Sequence, residues 1–182
     1  DEYRDIVTRL RAARPDLALS SDFIVGFPGE TEAEFEETLH LAGEMGFAQA
    51  YSFKYSARPG TPAAAYDEQV QAQTVDERLA RLRTLLDQLQ CDFNERFIGR
   101  ELAVLLDRQG RAPGQLIGRS PHMQSVYLRA PRESLGQIVR VRVMAAFANS
   151  LSGERTDRGD YGSPDRQWAV GTLHAIAPMG AD

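Results

Sequence analysis

Hydrophobic positions in the first half of the chain follow two alternating periods. Residues 2–13 place apolar side chains at helical spacing, whereas 17–27 contain a short apolar run that ends in a glycine-rich turn. Helical spacing returns after Thr31 and again over 74–97, and 48–55 forms a second strand-like run between them. The order helix, strand, helix, strand, helix is typical of parallel strands joined by helical crossovers.

Two of these helices carry N-terminal signals. Thr31 and Glu34 have the spacing of a capping box, in which each side chain satisfies a free amide of the first turn. The same spacing at Thr74 and Glu77 predicts a second capping box. Gly46 follows the last apolar residue of its helix and predicts the end of that helix.

The pattern changes after Gly99, where apolar residues recur with a period of two. Within 139–143, valines alternate with Arg140 and Arg142, so one face of a strand is apolar and the other is basic. Five short strands are predicted, at 101–106, 115–118, 125–128, 138–143 and 149–152. Strands of this number and spacing are typical of a small antiparallel barrel whose exposed face binds nucleic acid.

Charge is unevenly distributed over the 182 residues, which carry a formal net charge of −5. Residues 94–153 contain nine arginines and four acidic side chains, a net charge of +5, whereas residues 1–93 have a net charge of −8. A basic segment beside an acidic one indicates a nucleic-acid-binding module. A basic surface that balances an acidic neighbour fits the charges equally well at this point.

Composition excludes several classes of protein. No apolar stretch approaches the roughly 20 residues of a membrane helix, and no signal segment opens the chain. Cys91 is the single cysteine, so the chain forms no intramolecular disulfide, and its three histidines lack metal-ligand spacing. These features predict a cytoplasmic protein that does not bind membranes.

The most distinctive local motif is 22–30, in which two glycines follow the apolar run of a predicted strand. Glycines at the carboxyl end of a parallel strand allow a ligand to approach the backbone, or they serve only a tight strand-to-helix turn. The next strand ends near Tyr55 and Arg58. Arg58 is either a clamp for an anionic group or an ordinary surface arginine.

Six longer stretches carry a family resemblance. In the first half they are LRAARPD (10–16), SDFIVGFPGET (21–31) and YSFKYSARPGTPAA (51–64). In the second half they are GQLIGRS (114–120), MQSVYL (123–128) and ANSLSGE (148–154). Together they resemble the radical-SAM methylthiotransferases, most closely the branch that acts on N6-isopentenyladenosine in tRNA. The second half resembles the TRAM domain of these enzymes.

This resemblance implies an α/β domain followed by an all-β domain. Residues 1–93 correspond to the C-terminal part of a partial TIM-like (β/α) radical-SAM barrel, with 20–27 as its fifth strand and 50–55 as its sixth. Residues 94–154 correspond to a five-stranded antiparallel TRAM β-barrel, and 155–182 are expected to form a disordered or weakly ordered tail. We therefore interpret the chain as the rear portion of a larger enzyme.

For the full enzymes, the resemblance implies S-adenosylmethionine and two 4Fe-4S clusters as cofactors. One cluster cleaves S-adenosylmethionine reductively, and the resulting radical starts methylthio transfer to C2 of the modified adenosine next to the anticodon. This chain contains no cysteine motif for either cluster. We therefore predict no catalytic residue and no metal ligand here, and a chain that is inactive alone although its parent is a transferase.

The resemblance also indicates two groups of binding residues. The residues expected to contact S-adenosylmethionine are Ile24, Gly26, Gly29, Glu30, Tyr55 and Arg58. Ile24 would supply an apolar contact, and the backbone near Gly26 would supply polar groups to the adenine. The residues expected to bind the anticodon stem-loop of tRNA are Arg119, Gln124, Arg129, Arg140, Arg142 and Asn149. Tyr127 is a further stacking candidate, and Asp22 departs from the glycine that starts the family's strand motif.

Two other functions stay open at this point. The chain would be a stand-alone RNA-binding protein if its α/β part were only a scaffold. It would alternatively belong to the related branch that modifies an aspartate of a ribosomal protein. An open sheet edge at 20–27 also predicts dimerisation or a domain swap.

Overall fold

The computed structural model describes residues 2–156 and the backbone of 174–175. The described chain divides into two units, one formed by 2–89 with 174–175 and the other by 90–156. No helix in these ranges is both long and apolar enough to cross a membrane.

The first unit is an α/β structure. Its elements are α1 (Glu2–Ala13), β1 (Ser20–Val25), α2 (Glu32–Met45), β2 (Gln49–Lys54) and α3 (Ala72–Glu95), of which 90–95 belong to the second unit. The core lies between the helices and one face of the strands, and Val25, Phe35 and Leu82 are fully buried in it. The alternation of helices and strands along the sequence is thereby confirmed.

The sheet of this unit has the strand order β2–β1–β8, where β8 is His174–Ala175. β1 and β2 are parallel over six residue pairs, from Ser20 opposite Gln49 to Val25 opposite Lys54. The predicted parallel pairing is therefore confirmed. β8 adds a short third strand that pairs with Ser20 and Ser21, at one end of the edge that we expected to be open.

Helix ends agree with the sequence for α2 but not for α3. The Thr31 hydroxyl accepts a hydrogen bond from the Glu34 amide and the Glu34 carboxylate accepts one from the Thr31 amide, which confirms this capping box. Gly46 ends the helix in the left-handed conformation, with φ of 53°. The capping box expected at Thr74 is wrong, because α3 begins at Ala72 and Thr74 therefore lies inside its first turn.

The second unit is a closed barrel of five strands. They are β3 (Glu101–Gln109), β4 (Gln115–Arg119), β5 (Ser125–Arg129), β6 (Ile138–Phe147) and β7 (Ser150–Arg155). The order around the barrel is β3–β4–β5–β7–β6. Alternate residues such as Val104, Val126 and Val141 are fully buried in its interior, and the residues between them face outward. The five-stranded barrel is confirmed.

One detail of the barrel corrects the sequence analysis, which predicted antiparallel strands throughout. β5 and β7 pair in parallel, with Ser125 opposite Ser150 and Tyr127 opposite Ser152, whereas the other four neighbouring pairs are antiparallel. A closed ring with an odd number of strands cannot alternate direction at every step. At least one parallel pair is therefore required, and the barrel is mixed.

Several strands are longer than predicted. β3 continues past a bulge at Leu106/Arg108, and β6 continues past a bulge at Val143/Ala145. A bulge shifts the alternation of side chains by one residue, so the period-two pattern that locates a strand stops there although the pairing continues. Most of the predicted tail, 155–182, falls outside the described residues, but Arg155 belongs to β7.

Candidate functional site

The glycine-rich loop after β1 is fixed by a carboxylate from the same motif. The Gly26 amide donates a hydrogen bond to Oε2 of Glu30 over 2.8 Å. Gly26 has φ of 74°, and a Cβ at this position would overlap the side chain of Val75. Glycine is thus required at Gly26 both by conformation and by space. This amide, which we expected to face a ligand, is occupied within the protein.

Arg78 of α3 completes the same cluster. Its Nη1 donates to the backbone oxygen of Glu30 over 2.9 Å and to Glu30 Oε2 over 2.8 Å, and it also pairs with Glu32. The Arg78 side chain is 6% exposed and that of Glu30 is 12% exposed, so the ion pair is largely desolvated. Sequence reasoning missed Arg78; its signal was an arginine among the buried apolar positions of an amphipathic helix.

The other residues predicted to contact S-adenosylmethionine lie at the same end of the sheet. Ile24 and its cross-strand neighbour Phe53 are 56% and 52% exposed, on the face opposite the apolar core. Tyr55 follows β2 and packs edge to face on Phe27, with ring centroids 5.2 Å apart. The Tyr55 hydroxyl is buried and has no hydrogen-bond partner among the described residues. An exposed apolar face beside an orphaned hydroxyl fits a ligand with both an aromatic ring and polar atoms.

Arg58 and Gly29 differ in their surroundings. The Arg58 side chain is exposed, and its backbone oxygen accepts hydrogen bonds from Thr61. The Gly29 amide donates to the backbone oxygen of Glu68 over 2.8 Å. Ile24 thus lies near the end of β1 and the other five predicted residues lie in the segments that follow β1 and β2, where Gly26, Gly29 and Glu30 are engaged in internal hydrogen bonds.

Metal ligands do not cluster in the described part of the chain, where no group of three or more His, Cys, Asp or Glu side chains could hold an ion. Cys91, the single cysteine of the sequence, is half-buried on α3. The usual iron–sulfur cluster needs several thiolates. This chain alone therefore does not fit such a cluster.

In the barrel, the predicted arginines of β6 are balanced by acidic neighbours. Arg142 lies opposite Glu101 of β3 and opposite Glu154 of β7, and its Nη2 donates to Glu101 over 3.1 Å. Arg140 also approaches Glu101, at 4.0 Å. We call these four residues the β3–β6 face, and its two arginines and two glutamates sum to zero charge.

A second outer face is formed by β4 and β5 around Tyr127. Val126 and Leu128 point into the barrel, so Tyr127 and Arg129 point outward. Tyr127 lies opposite Ile117 of β4, and Arg119 lies two residues further along β4 on the same side. Directly opposite and diagonal residues lie within side-chain reach of each other. Tyr127 is thus flanked by two of the predicted arginines.

Arg108 extends this surface, because it lies opposite Ile117 on β3. Asp107 is 3.6 Å from both Arg108 and Arg119. Among the described residues, the Arg129 side chain makes no hydrogen bond or ion pair, although its backbone pairs with Gln115 of β4. We call Arg108, Arg119, Tyr127 and Arg129 the β4–β5 face; with Asp107, it carries a net charge of +2. Sequence reasoning missed Arg108 because the bulge hides its outward position.

Gln124 lies in a hydrogen-bonded chain and not on an open surface. Its Nε2 donates to Asn94 Oδ1 over 2.7 Å, and its Oε1 accepts from the Ser120 hydroxyl over 2.8 Å. Asn94 is 1% exposed and donates to the backbone oxygens of Phe147 and Ala148. These bonds tie the β4–β5 loop to the β6–β7 turn, and Asn94 was not predicted.

Asn149, the last predicted RNA-binding residue, is exposed in that β6–β7 turn. Met123 and Phe147 are also exposed, at 53% and 56%, in the two segments that Asn94 and Gln124 connect. Because β5 and β7 are parallel, the turns that precede them lie at one end of the barrel. The predicted RNA-binding residues are therefore split between two outer faces and one end.

The barrel coincides with a known domain. Residues 95–155 match the family model described as the TRAM domain. This match, together with the five-stranded fold, makes the second unit a TRAM domain.

Two curated proteins are similar to the chain over a much longer stretch. The tRNA-2-methylthio-N(6)-dimethylallyladenosine synthase of Maricaulis maris (strain MCS10) is 55% identical over 156 residues, which cover 86% of this chain and 34% of that protein. The synthase of the same name from Novosphingobium aromaticivorans is 52% identical over 153 residues, covering 84% of this chain and 34% of that protein. The chain therefore spans about a third of the length of these relatives. It is homologous to the C-terminal third of radical-SAM tRNA methylthiotransferases, which confirms the resemblance.

Proposed function

We propose that this chain supplies the C-terminal third of an enzyme that adds a methylthio group to C2 of N6-dimethylallyladenosine (isopentenyladenosine) in tRNA. The observation that carries the proposal is the length of the similarity. An alignment of 156 residues is longer than either unit, so the likeness to the synthase includes both the α/β unit and the barrel.

Within this proposal, the α/β unit forms part of the site for S-adenosylmethionine. That cofactor, when bound, is the source of both the radical and the methyl group. Ile24 contributes apolar contact to the adenine, and Tyr55 and Arg58 offer a hydroxyl and a guanidinium to its polar groups. Glu30, with Gly26 and Gly29, holds the loop in position by the internal hydrogen bonds described above.

The barrel binds the anticodon stem-loop of tRNA in this proposal. Support comes from the TRAM match and from the excess of arginine in 94–153. Arginine binds phosphate with two parallel hydrogen bonds and also stacks on unpaired bases. Such binding would take place in the cytoplasm and involves no membrane.

The chain is inactive by itself in this proposal, because its one cysteine cannot ligate either of the two 4Fe-4S clusters. Incubation of the purified chain with iron, sulfide, a reductant and S-adenosylmethionine should give no cluster absorption band and no 5′-deoxyadenosine. Formation of the cluster band or of 5′-deoxyadenosine would overturn the predicted inactivity, but it would leave the homology unaffected.

A chimera tests the proposed activity directly. The last third of the Maricaulis maris synthase is replaced by this chain, and tRNA from cells expressing the chimera is analysed by mass spectrometry for the methylthio group. We expect the modified nucleoside to form. A chimera that folds and binds tRNA but leaves it unmodified would instead favour the stand-alone RNA-binding function. Methylthiolation of an aspartate of a ribosomal protein, in place of tRNA, would favour membership of the related branch that modifies that protein.

A further inference from the structure

We propose that the β4–β5 face binds a single-stranded segment of RNA, with one unpaired base stacked on Tyr127 and the neighbouring phosphates on Arg108, Arg119 and Arg129. This inference rests on the proposed RNA binding and specifies its surface. It also separates the predicted arginines, because it assigns binding to Arg119 and Arg129 and not to Arg140 and Arg142.

The first step is the position of Tyr127. Arg129 is two residues away on the same strand, about 7 Å along β5, and Arg119 is the diagonal neighbour on β4 at about 7–8 Å. Arg108 lies two strands away, about 10 Å across the sheet. Consecutive phosphates of an extended RNA strand are separated by distances of this order. One aromatic ring thus has guanidinium groups on more than one side.

Small side chains leave the ring accessible. On β7, the residue opposite Tyr127 is Ser152, and the preceding outward pair is Ser125 with Ser150. None of these side chains is long enough to cover an aromatic ring, and Tyr127 is only half-buried. An aromatic ring in this setting is a stacking platform for a base, which any nucleotide can use because every base has a π-face.

Charge decides between the two faces. On the β3–β6 face, Arg140 and Arg142 share Glu101, and Glu154 lies on the other side of Arg142. A phosphate at this position would meet two carboxylates as well as two guanidinium groups. On the β4–β5 face, Asp107 is the one carboxylate, at 3.6 Å from both Arg108 and Arg119. Arg119 also donates to the Met123 backbone oxygen and to the Ser125 hydroxyl, whereas the Arg129 side chain makes no hydrogen bond or ion pair with the described residues. The attraction for RNA is therefore stronger at the β4–β5 face.

Unpaired RNA is favoured over a duplex by the presence of Tyr127. The bases of an A-form duplex are stacked on one another, so a surface tyrosine has no base to contact, whereas loop bases stack readily on aromatic side chains. A duplex would use the arginines alone. Substitution of Tyr127 is therefore expected to weaken the binding of unpaired RNA and to leave the binding of a duplex unchanged.

The experiment measures binding of the full chain to a fluorescein-labelled RNA hairpin with an unpaired loop, and to a blunt RNA duplex, by anisotropy at several salt concentrations. Tyr127→Ala should weaken hairpin binding about tenfold, and Tyr127→Phe should stay within about twofold because the ring is retained. Duplex binding should be much weaker and insensitive to Tyr127. Thermal melting of both variants checks that the barrel is folded.

The arginines are tested in the same assay. Arg129→Gln should weaken hairpin binding about threefold to tenfold and reduce the slope of log affinity against log salt by about 0.7, the value for one phosphate contact on a single strand. Arg83→Gln, which removes the same charge from the exposed face of α3, is the matched control and should have little effect.

Three outcomes contradict the inference. If Arg140→Gln or Arg142→Gln weakens binding more than Arg129→Gln, the RNA lies on the β3–β6 face. If Tyr127→Ala binds normally while Arg129→Gln does not, the contact is to phosphate alone and stacking is wrong. If the unchanged chain binds neither the hairpin nor the duplex in a salt-dependent way, the proposed RNA binding itself is wrong. The chimera experiment tests that proposal independently.

Discussion

Arg78 and Glu30 form an ion pair that is nearly withdrawn from water, with Nη1 of the arginine 2.8 Å from Oε2 of the glutamate. The same carboxylate oxygen accepts the Gly26 amide. A residue of α3 thereby fixes the loop that follows β1. Glu30, which the motif marks as a ligand contact, also has a structural task.

Removal of either Arg78 or Glu30 should lower the stability of the first unit. We expect Arg78→Ala to lower the free energy of unfolding of the first unit by about 3–5 kcal/mol, because it leaves the Glu30 carboxylate buried without its counter-charge. Arg81→Ala is the matched control on the same helix. Arg81 is exposed, and its pairs with Glu32 and Glu36 should contribute little to stability, because solvent screens ion pairs at the surface.

Urea denaturation followed by helical circular dichroism measures this difference. If Arg78→Ala unfolds the unit outright, the double variant Arg78→Met with Glu30→Gln provides a second test, since it removes both charges and should recover part of the lost stability. Equal losses for Arg78→Ala and Arg81→Ala would mean that burial of the pair has no energetic consequence.

Replacement of a glycine by alanine should lower the stability of the chain on β4 and raise it on α2. A Cβ at Gly118 would lie 2.5 Å from the backbone oxygen of Leu105 and from Val104 Cγ1. We expect Gly118→Ala to destabilise the barrel by about 2 kcal/mol or more, because β3 and β4 must separate. Gly43 has open space around it, so Gly43→Ala should stabilise α2 by about 0.5–1 kcal/mol. Urea midpoints of the two variants, compared with the unchanged chain, check both signs.

Asn94 should be a stability residue of the barrel. Asn94→Ala removes the donor for the Phe147 and Ala148 carbonyls and the acceptor for Gln124, and we expect a loss of about 2–3 kcal/mol. Asn149→Ser, at an exposed turn position, should stay within about 0.5 kcal/mol.

Amide hydrogen exchange of the second unit provides the measurement for Asn94. Protection of the Gln124 amide, which donates to the Ser120 hydroxyl, should fall in Asn94→Ala before that of the buried strand residues. Unchanged exchange in the β4–β5 loop would show that the Asn94–Gln124 bond does not hold this loop.

The cap of α2 should make stability depend on pH. Hydrogen bonds from the Thr31 amide and hydroxyl lower the pKa of Glu34 below its usual value of 4.5. A carboxyl whose pKa is depressed by folding stabilises the folded state above its unfolded pKa, and this contribution is lost as the pH falls through the folded pKa. The unchanged chain should thus melt higher than Glu34→Gln at pH 7, and this difference should vanish in acid below both values.

Glu37→Gln is the control for that experiment, because Glu37 is an exposed glutamate on the same helix. Its melting temperature, relative to the unchanged chain, should show a smaller dependence on pH. If the difference in melting temperature between the unchanged chain and Glu34→Gln is the same in acid as at pH 7, the proposed role of the carboxylate in the cap is wrong.

The sequence by itself determined the features that depend on neighbouring residues. The helices and strands follow from local hydrophobic periods, and the ends of α2 follow from Thr31, Glu34 and Gly46, since capping contacts span only three or four residues. The family resemblance also came from contiguous motifs, and it placed the six candidate cofactor residues together at one end of β1 and β2.

Tertiary structure alone decided which of these side chains face a partner within the protein. Arg142 and Arg129 are alike in sequence, each an arginine in an alternating strand, yet the pairing register sets Glu101 and Glu154 opposite Arg142 and Gln115 opposite Arg129. Likewise, Arg78 meets Glu30 across 48 residues of chain, and Gln124 meets Asn94 across 30. Charge and hydrogen-bonding capacity are properties of single residues, but their availability depends on contacts between distant segments that no local pattern records.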